Sequence, residues 1–435
     1  MTPTQQLLVS LGLRIIGVLI LCHVLLLYVP VTPTWLAVVV VISAAALLLA
    51  PAKLLPLAIS FAATTAVLEV LVRLGLGGVT PYFRPHERLA LDTTYRANER
   101  VEMTVPHGDL LTIDPTLDKQ LATPRREVFV TDSHGNRNDQ NYNGERLILI
   151  GDSFLVGTET TLAQVLRRDH GVEAYNLSFS SIGPLIYADK VLWARRALRS
   201  DACVALFFFE GNDFQLVDPV ELERRRAVPR GLQLAVKSYV LAVRRESEWS
   251  KTFFGLATRA AARFSPSDQS SQLDAAPRAI TFAGTVGGRQ MAFLRGYADV
   301  VRRTSFDDHG FVRSQLALAP PDMVFFIPDK YRVYAPLLDT DPVSALPHVQ
   351  WEYLKRATDE LDIPAIDLTQ PMIERSRALA ASGETTFWPD DTHWNRIGES
   401  VAAEVLQTTL SASTSGRCSV ASTRAAAPTQ PVAGR

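Results

Sequence analysis

The sequence predicts an α/β fold, a three-layer α/β/α sandwich with about five parallel strands, preceded by N-terminal transmembrane helices. Three observations predict it. Uninterrupted apolar runs, among them Leu147–Ile150, Cys203–Phe209 and Met323–Ile327, fit strands covered by helices on both faces. Between them, apolar residues recur at helical spacing. Each of these runs also ends in a short polar turn, where open α/β sheets hold their ligands.

The chain opens with apolar runs. Ile15 to Val31 is interrupted only by Cys22, His23 and Tyr28, and Trp35 to Ala50 carries no charge. With their flanks both reach about 20 residues, the length of a membrane span. Pro30 to Thr34 then forms a tight connection, and a third run, Leu54 to Val72, contains Pro56 and Glu69. Residues 1–76 are therefore expected to be a membrane anchor of two or three helices. Arg14 and Lys53 place the N-terminus and the second link in the cytoplasm, so three spans carry the rest of the chain to the outer side. Arg73 argues the other way, as do two spans.

Residues 77–410 are expected to form the α/β domain. Its first part, to residue 145, is polar and turn-rich, with a sharp loop at Thr131–Asn138. Leu147–Ile150 leads through Gly151 and Asp152 to Ser153, and Leu155, Leu162, Val165 and Leu166 continue at helical spacing. Ser153 thus falls at a helix N-terminus, where N–H groups and the helix dipole favour negative charge. Asp and Ser are also ordinary capping residues, and that reading stands beside the chemical one. A helix stop follows at Gly171, a strand at Val172–Leu177, and a loop from Ser178 to Pro184. Cys203–Phe209 ends in Glu210-Gly211-Asn212-Asp213.

Residues 216–320 interrupt the alternation as a helical insert. It contains Arg224-Arg225-Arg226, a basic amphipathic helix around Leu232–Arg263, a polar link at 265–275, and a helix near Met291–Arg303. Strands resume at Met323–Ile327 and Pro364–Leu368, a helix is expected around Val349–Leu361, and a final helix carries Ile397, Val401, Val405 and Leu406. The Ala/Ser/Thr/Pro-rich residues 411–435 read as a disordered tail.

A net charge of −1 over 435 residues gives no case for nucleic acid as a partner. The three cysteines, Cys22, Cys203 and Cys418, show neither a disulfide framework nor a metal-binding spacing, so they leave the compartment undecided.

Ser153 is the candidate nucleophile. A serine hydroxyl needs a base within hydrogen-bond reach, and the base needs a third group to hold its tautomer. His393 supplies the base, and Asp390, three residues earlier, can reach its far ring nitrogen; neighbouring Asp391 competes for that role. For the oxyanion, the candidate donors are the Ser153 N–H, the Asn212 amide and an N–H of the 178–183 loop. This chemistry calls for no metal and no organic cofactor.

Gly151-Asp152-Ser153-Phe154, Gly211-Asn212-Asp213 and Asp390-Asp391-Thr392-His393, in that order, resemble the blocks of the SGNH hydrolases, also called GDSL-like esterases. The resemblance covers about residues 125–410. It implies a flavodoxin-like sandwich with Ser153 as nucleophile, His393 as base and Asp390 as its acid. It also implies an oxyanion hole from Ser153, Asn212 and a second-block N–H. Aligned from Asn176, the usual second-block glycine falls on Ser181, with Gly183 two residues later. Ile327 to Tyr334 looks like a segment of membrane-attached members that O-acetylate exopolysaccharides such as alginate. Those enzymes place an Asp-x-His pair before the serine. Asp132-Ser133-His134 has that spelling, but the late pair is also present and His134 is read as a loop residue.

The resemblance implies a serine esterase or O-acyltransferase working through an acyl-enzyme on acetyl esters of cell-envelope or exported polysaccharide. It would be anchored in a bacterial inner membrane with its catalytic domain in the periplasm. Expected partners are the acyl ester or glycan, the bilayer and polysaccharide-assembly proteins. Lys330, Tyr331 and Trp394 are the candidate substrate contacts, with Trp388 a further aromatic wall. Two alternatives stand: a lipid or general carboxylesterase, and a non-catalytic glycan-binding module in which Ser153 and His393 lie apart.

Overall fold

The computed structural model describes residues 3–25, 42, 51–73, 93–114, 116–199, 201–214, 280–308, 310–343, 345–413 and 416–419. All of the run Trp35–Ala50 but Ile42, the link before it, the basic helix expected at Leu232–Arg263, the 265–275 link and most of the C-terminal tail lie outside these residues. The chain divides into two compact units, one with the N-terminal helices and one with the sheet.

In the first unit, helices Pro3–Leu25 and Pro51–Arg73 pack together through Leu21, Leu54 and Ala58. Gly17 permits the approach, since a Cβ there would stand 3.0 Å from Leu54 Cγ. The segments Gln5–Leu25 and Lys53–Leu71, with mean hydropathies of 2.3 and 1.9, are long and apolar enough to cross a membrane. Each would span about 30 Å at the helical rise.

The second unit contains nine strands among its described residues, labelled in chain order: β1 Arg100–Val105, β2 Arg125–Val130, β3 Leu147–Ile150, β4 Ala174–Asn176, β5 Cys203–Phe209, β6 Thr281–Val286, β7 Arg289–Leu294, β8 Met323–Ile327 and β9 Ala365–Asp367. Five form a parallel sheet in the order β4-β3-β5-β8-β9. This is the α/β sheet that the apolar runs predict, and it explains their lack of alternation. Leu147, Leu149, Ala205, Phe207 and Phe325 enter one core, and Ile148, Ile150, Val204, Leu206, Phe208 and Phe326 enter the other. Successive side chains of a strand point to opposite faces, and here both faces are covered.

Helices Leu162–His170, Thr369–Ala380 and Arg396–Ala412 supply the first core, while Pro184–Trp193, Phe311–Leu318 and Val349–Asp359 supply the second. The chain passes from β3 outward to β4 and returns to β5 on the other side. That reversal is a topological switch point at the carboxyl ends of β3 and β5, just before Ser153 and Asn212, where open α/β sheets hold their ligands.

Three local expectations are corrected. The helix expected from Ser153 onward is two helices, Ser153–Val156 and Leu162–His170, separated at Gly157. Gly157 has φ +73, and a Cβ there would lie 1.9 Å from the Thr160 carbonyl oxygen, so the chain turns where a single helix would continue. The helix expected near Met291–Arg303 begins only at Arg295, because β6 and β7 form a hairpin through Gly287-Gly288, both at positive φ. The third concerns Cys203 and Cys418, which form a disulfide across 215 residues, so Cys418 is not part of an untethered tail.

Candidate active site

The nucleophile turn follows from the end of β3. Asp152 caps the helix Ser153–Val156, its Oδ1 accepting the Phe154 N–H at 3.0 Å. Arg137 holds the other end of that short helix, donating to the carbonyls of Val156 and Gly157 at 2.6 Å and of Thr158 at 2.8 Å. The backbone of Ser153 is thereby fixed from both sides while its side chain stays half-buried.

His393 arrives on a loop between helices Thr369–Ala380 and Arg396–Ala412. A bridge between Phe387 and Trp394 closes this loop, and Asn395 caps the helix that follows, accepting the N–H groups of Ile397 and Gly398. The Trp394 indole N–H donates to the Phe154 carbonyl at 3.0 Å, tying the loop to the nucleophile turn. The outcome is a linear relay: Ser153 Oγ lies 2.7 Å from His393 Nε2, and His393 Nδ1 lies 2.7 Å from Asp391 Oδ1.

The acid that meets the imidazole is therefore Asp391, where the sequence reading favours Asp390. Asp390 points away, and its Oδ2 accepts the N–H groups of Gly108 at 2.7 Å and Thr123 at 2.9 Å. Gly108 is needed for that approach, because a Cβ there would stand 2.0 Å from the Asp390 carbonyl oxygen. On the far side of Asp391, Arg125 donates to Oδ2 at 2.6 Å, and the same guanidinium reaches Glu127 at 3.3 Å and Asp390 at 3.8 Å.

Lys330, Tyr331 and Trp394 are buried, which corrects their reading as substrate contacts. The Lys330 ammonium donates to the carbonyls of Trp388 at 2.7 Å, Pro389 at 2.9 Å and Asp391 at 3.0 Å, matching three protons to three acceptors on the histidine loop. Burial lowers its pKa to about 8, against the opposing pull of Asp391, Asp109 and Asp390. The Tyr331 hydroxyl accepts a bond from Arg302 at 2.6 Å. Trp388 remains half-buried, with Arg125 over its ring. The β7 residue Ala292 adds a backbone bond to the Pro389 carbonyl at 2.8 Å, so the hairpin also braces this loop.

Asn212 and Gly183 are partly exposed, and Ser181 is exposed with a left-handed φ of +60. A glycine takes that conformation without strain, whereas an L-residue there costs about 1 kcal/mol. Gly183 caps the helix Pro184–Trp193. Among the described residues, the buried oxygens Asn212 Oδ1, Asp213 Oδ1 and Asp152 Oδ2 have no hydrogen-bond partner. Burial raises the carboxyl pKa values of both Asp152 and Asp213, and the charge of Asp152 pushes Asp213 up further.

The earlier Asp-x-His pair does a different job. Asp132 is buried and knits its own turn, accepting the N–H groups of His134 and Asn136 on Oδ1 and the Tyr175 hydroxyl and Asn138 amide on Oδ2. His134 is exposed and lies edge-on to Trp193.

Arg125 and Asp109 are the site residues that the sequence reading lacks. Both meet the histidine loop across more than 260 residues, a pairing that has no local signal. Asp109, Asp391 and His393 also offer three possible metal-ligand atoms within 4.8 Å of one another. Arg125 already supplies positive charge beside Asp391, and Nδ1 already pairs with its carboxylate, so the set fits an acid–base relay better than a cation.

Residues 317–434 match the family described as ALGX, SGNH hydrolase-like domain, acetyltransferase AlgX. The matched stretch includes β8, Lys330 and Asp390–His393, and it starts well after Ser153. It supports a relation to the SGNH-like superfamily and to proteins of polysaccharide O-acetylation, of acetyltransferase or esterase type. No curated protein matches the chain.

Proposed function

We propose that this protein is a serine acyl-transfer enzyme that forms an acyl-enzyme on Ser153 from an acetyl ester of cell-envelope or exported polysaccharide. The observation that carries the reading is the Ser153–His393–Asp391 relay, with both links at 2.7 Å. A binding module has no need of that alignment, and it predicts the serine and histidine apart.

In this mechanism Ser153 Oγ attacks the acyl carbon as its proton passes to His393 Nε2. The carbonyl pair moves onto oxygen, where the Ser153 N–H, the Asn212 amide and an N–H of Ser181 or Gly183 are the candidate donors. Collapse breaks the bond to the leaving alcohol, which takes the proton from His393. Water or a sugar hydroxyl then attacks the acyl-enzyme as its proton passes to His393, and collapse breaks the acyl–Oγ bond while His393 returns the proton to Ser153 Oγ. The match to an acetyltransferase family favours a sugar hydroxyl as acceptor.

The helices Pro3–Leu25 and Pro51–Arg73, with the uncharged run Trp35–Ala50 as the further span that a periplasmic sheet unit requires, would hold the enzyme in the bacterial inner membrane, with the bilayer and polysaccharide-assembly proteins as partners. The Cys203–Cys418 disulfide supports a periplasmic sheet unit, since disulfides persist in oxidising compartments.

The test uses full-length protein in detergent with a fluorophosphonate probe and an activated acetyl ester. Labelling and acetyl release are expected in the wild type and absent from Ser153→Ala and His393→Ala. Added polysaccharide should accept acetyl groups. A wild type that neither labels nor turns over would sink the proposal.

A further inference from the structure

We propose that Asp109 is a second acid behind His393, so that two carboxylates orient the imidazole and stabilise its protonated form. The inference rests on the acyl-enzyme reading above. His393 Nδ1 lies 2.7 Å from Asp391 Oδ1, its hydrogen-bond partner, 3.3 Å from the Thr392 hydroxyl oxygen and 3.6 Å from Asp109 Oδ2, so Asp109 acts on the ring through its charge at close range.

The need for a second acid comes from Arg125. Asp391 is fully buried, and its other oxygen takes a guanidinium bond at 2.6 Å and the Asp109 N–H at 3.2 Å. A carboxylate that shares its charge with an arginine stabilises an imidazolium less than one facing the ring alone. Asp109 adds negative charge on the same side of the ring. Its side chain keeps 23% exposure, so water still solvates its charge.

The placement is built from the residue before the base. Asp109 Oδ1 accepts the Thr392 N–H at 2.8 Å, and Oδ2 accepts the Thr392 hydroxyl. The Leu110 N–H bonds the Asp390 carbonyl at 3.2 Å, which anchors the segment from the other side. Asp109 is therefore fixed to the histidine loop by its backbone and both carboxylate oxygens.

In the reaction, Ser153 transfers its proton to Nε2 as the Oγ–carbon bond forms, and the imidazolium then donates Nδ1–H to Asp391 with the Asp109 charge beside it. The proton leaves with the departing alkoxide, and neither carboxylate needs to take it. The charged groups around the ring are Asp390 and Asp391 on its own loop, Asp109 after β1, Arg125 on β2, Asp152 at the nucleophile turn and Lys330 after β8.

Asp109 acts through His393 and is a positioning residue, so its test is a pH profile. Full-length wild type, Asp109→Asn and Asp109→Glu are compared in detergent by fluorophosphonate labelling rate between pH 5 and 9. Asp109→Asn should lower the rate at pH 8 about ten-fold and move the acid limb down by about one pH unit, while Asp109→Glu should return the limb close to its wild-type position. A limb in Asp109→Asn that coincides with the wild type, whatever its amplitude, overturns the inference and leaves the acyl-enzyme reading standing. A wild type that does not label removes both. Where melting shows that Asp109→Asn has lost its fold, Asp109→Ser decides by the same criterion.

Discussion

Arg125 binds one oxygen of Asp391 while His393 binds the other. The acid of the relay is thus held between a permanent cation and the base, and its orientation does not depend on the base alone. Arg125 comes from β2, a strand outside the central sheet, so the site depends on a part of the chain remote from the nucleophile turn.

The first prediction concerns that cation. Arg125→Met would strand Asp391 and Glu127 in a buried site, and breaking a buried pair by removing one partner costs about 3–5 kcal/mol. Urea denaturation of the sheet unit should show a loss of that order. A change below about 1 kcal/mol, the size of an exposed ion pair, would mean that the pair is not buried as described.

Asp390 and Asp391 separate the sequence reading from the structure. Asp391→Asn should lower kcat about 10²–10⁴-fold, the range for losing general acid–base assistance, with KM little changed. Asp390→Asn should leave kcat within a few-fold while lowering stability by about 1–3 kcal/mol, because Gly108 and Thr123 lose a charged acceptor. Kinetics and melting on the two variants check this directly, and the reverse pattern would restore Asp390 as the acid.

Much of the fold was legible in the sequence because a buried parallel strand leaves an apolar run that needs no partner to be recognised. Leu147–Ile150, Cys203–Phe209 and Met323–Ile327 are strands with those bounds. Ser153 and His393 could be named because each stands beside residues whose local chemistry marks it. Arg125 and Asp109 could not, since they act only through contacts made after folding, and Lys330 could be named but not given its role, because the three carbonyls it braces come to it only in the fold. The choice between Asp390 and Asp391 likewise turned on Gly108 and Arg125, which occupy the two carboxylates in different ways. The β6–β7 hairpin did carry a local signal, the Gly287-Gly288 pair.

Lys330 makes the site sensitive to alkali. Its pKa is about 8 in the fold, against about 10.4 for an exposed lysine, so between those values the unfolded chain binds more protons. Stability attributable to this group therefore rises with pH across that window, by up to about 3 kcal/mol, as the burial penalty on its charge is relieved. Activity should move the other way, because a neutral amine has two protons for the three carbonyls of Trp388, Pro389 and Asp391. The expected result is a wild-type kcat that falls above pH 8 while the stability difference from Lys330→Met shifts in favour of the wild type. A flat kcat to pH 10 would count against this role for Lys330.

The last prediction uses the disulfide. Cys203 begins β5 at the centre of the sheet, and Cys418 lies just beyond the helix Arg396–Ala412 that follows the histidine loop. The bond therefore closes a loop that holds β5 to β9 and the histidine loop, and losing it should cost about 2–4 kcal/mol. Because the three cysteines include one outside the bond, Cys22, denatured protein should show one reactive thiol before reduction and three after it. Reduction or Cys418→Ser should lower the melting temperature without abolishing fluorophosphonate labelling at 25 °C, since neither sulfur contacts the relay. Three reactive thiols in denatured protein isolated from membranes without reductant would show that the bond does not form. The compartment would then have to be argued from the apolar helices alone.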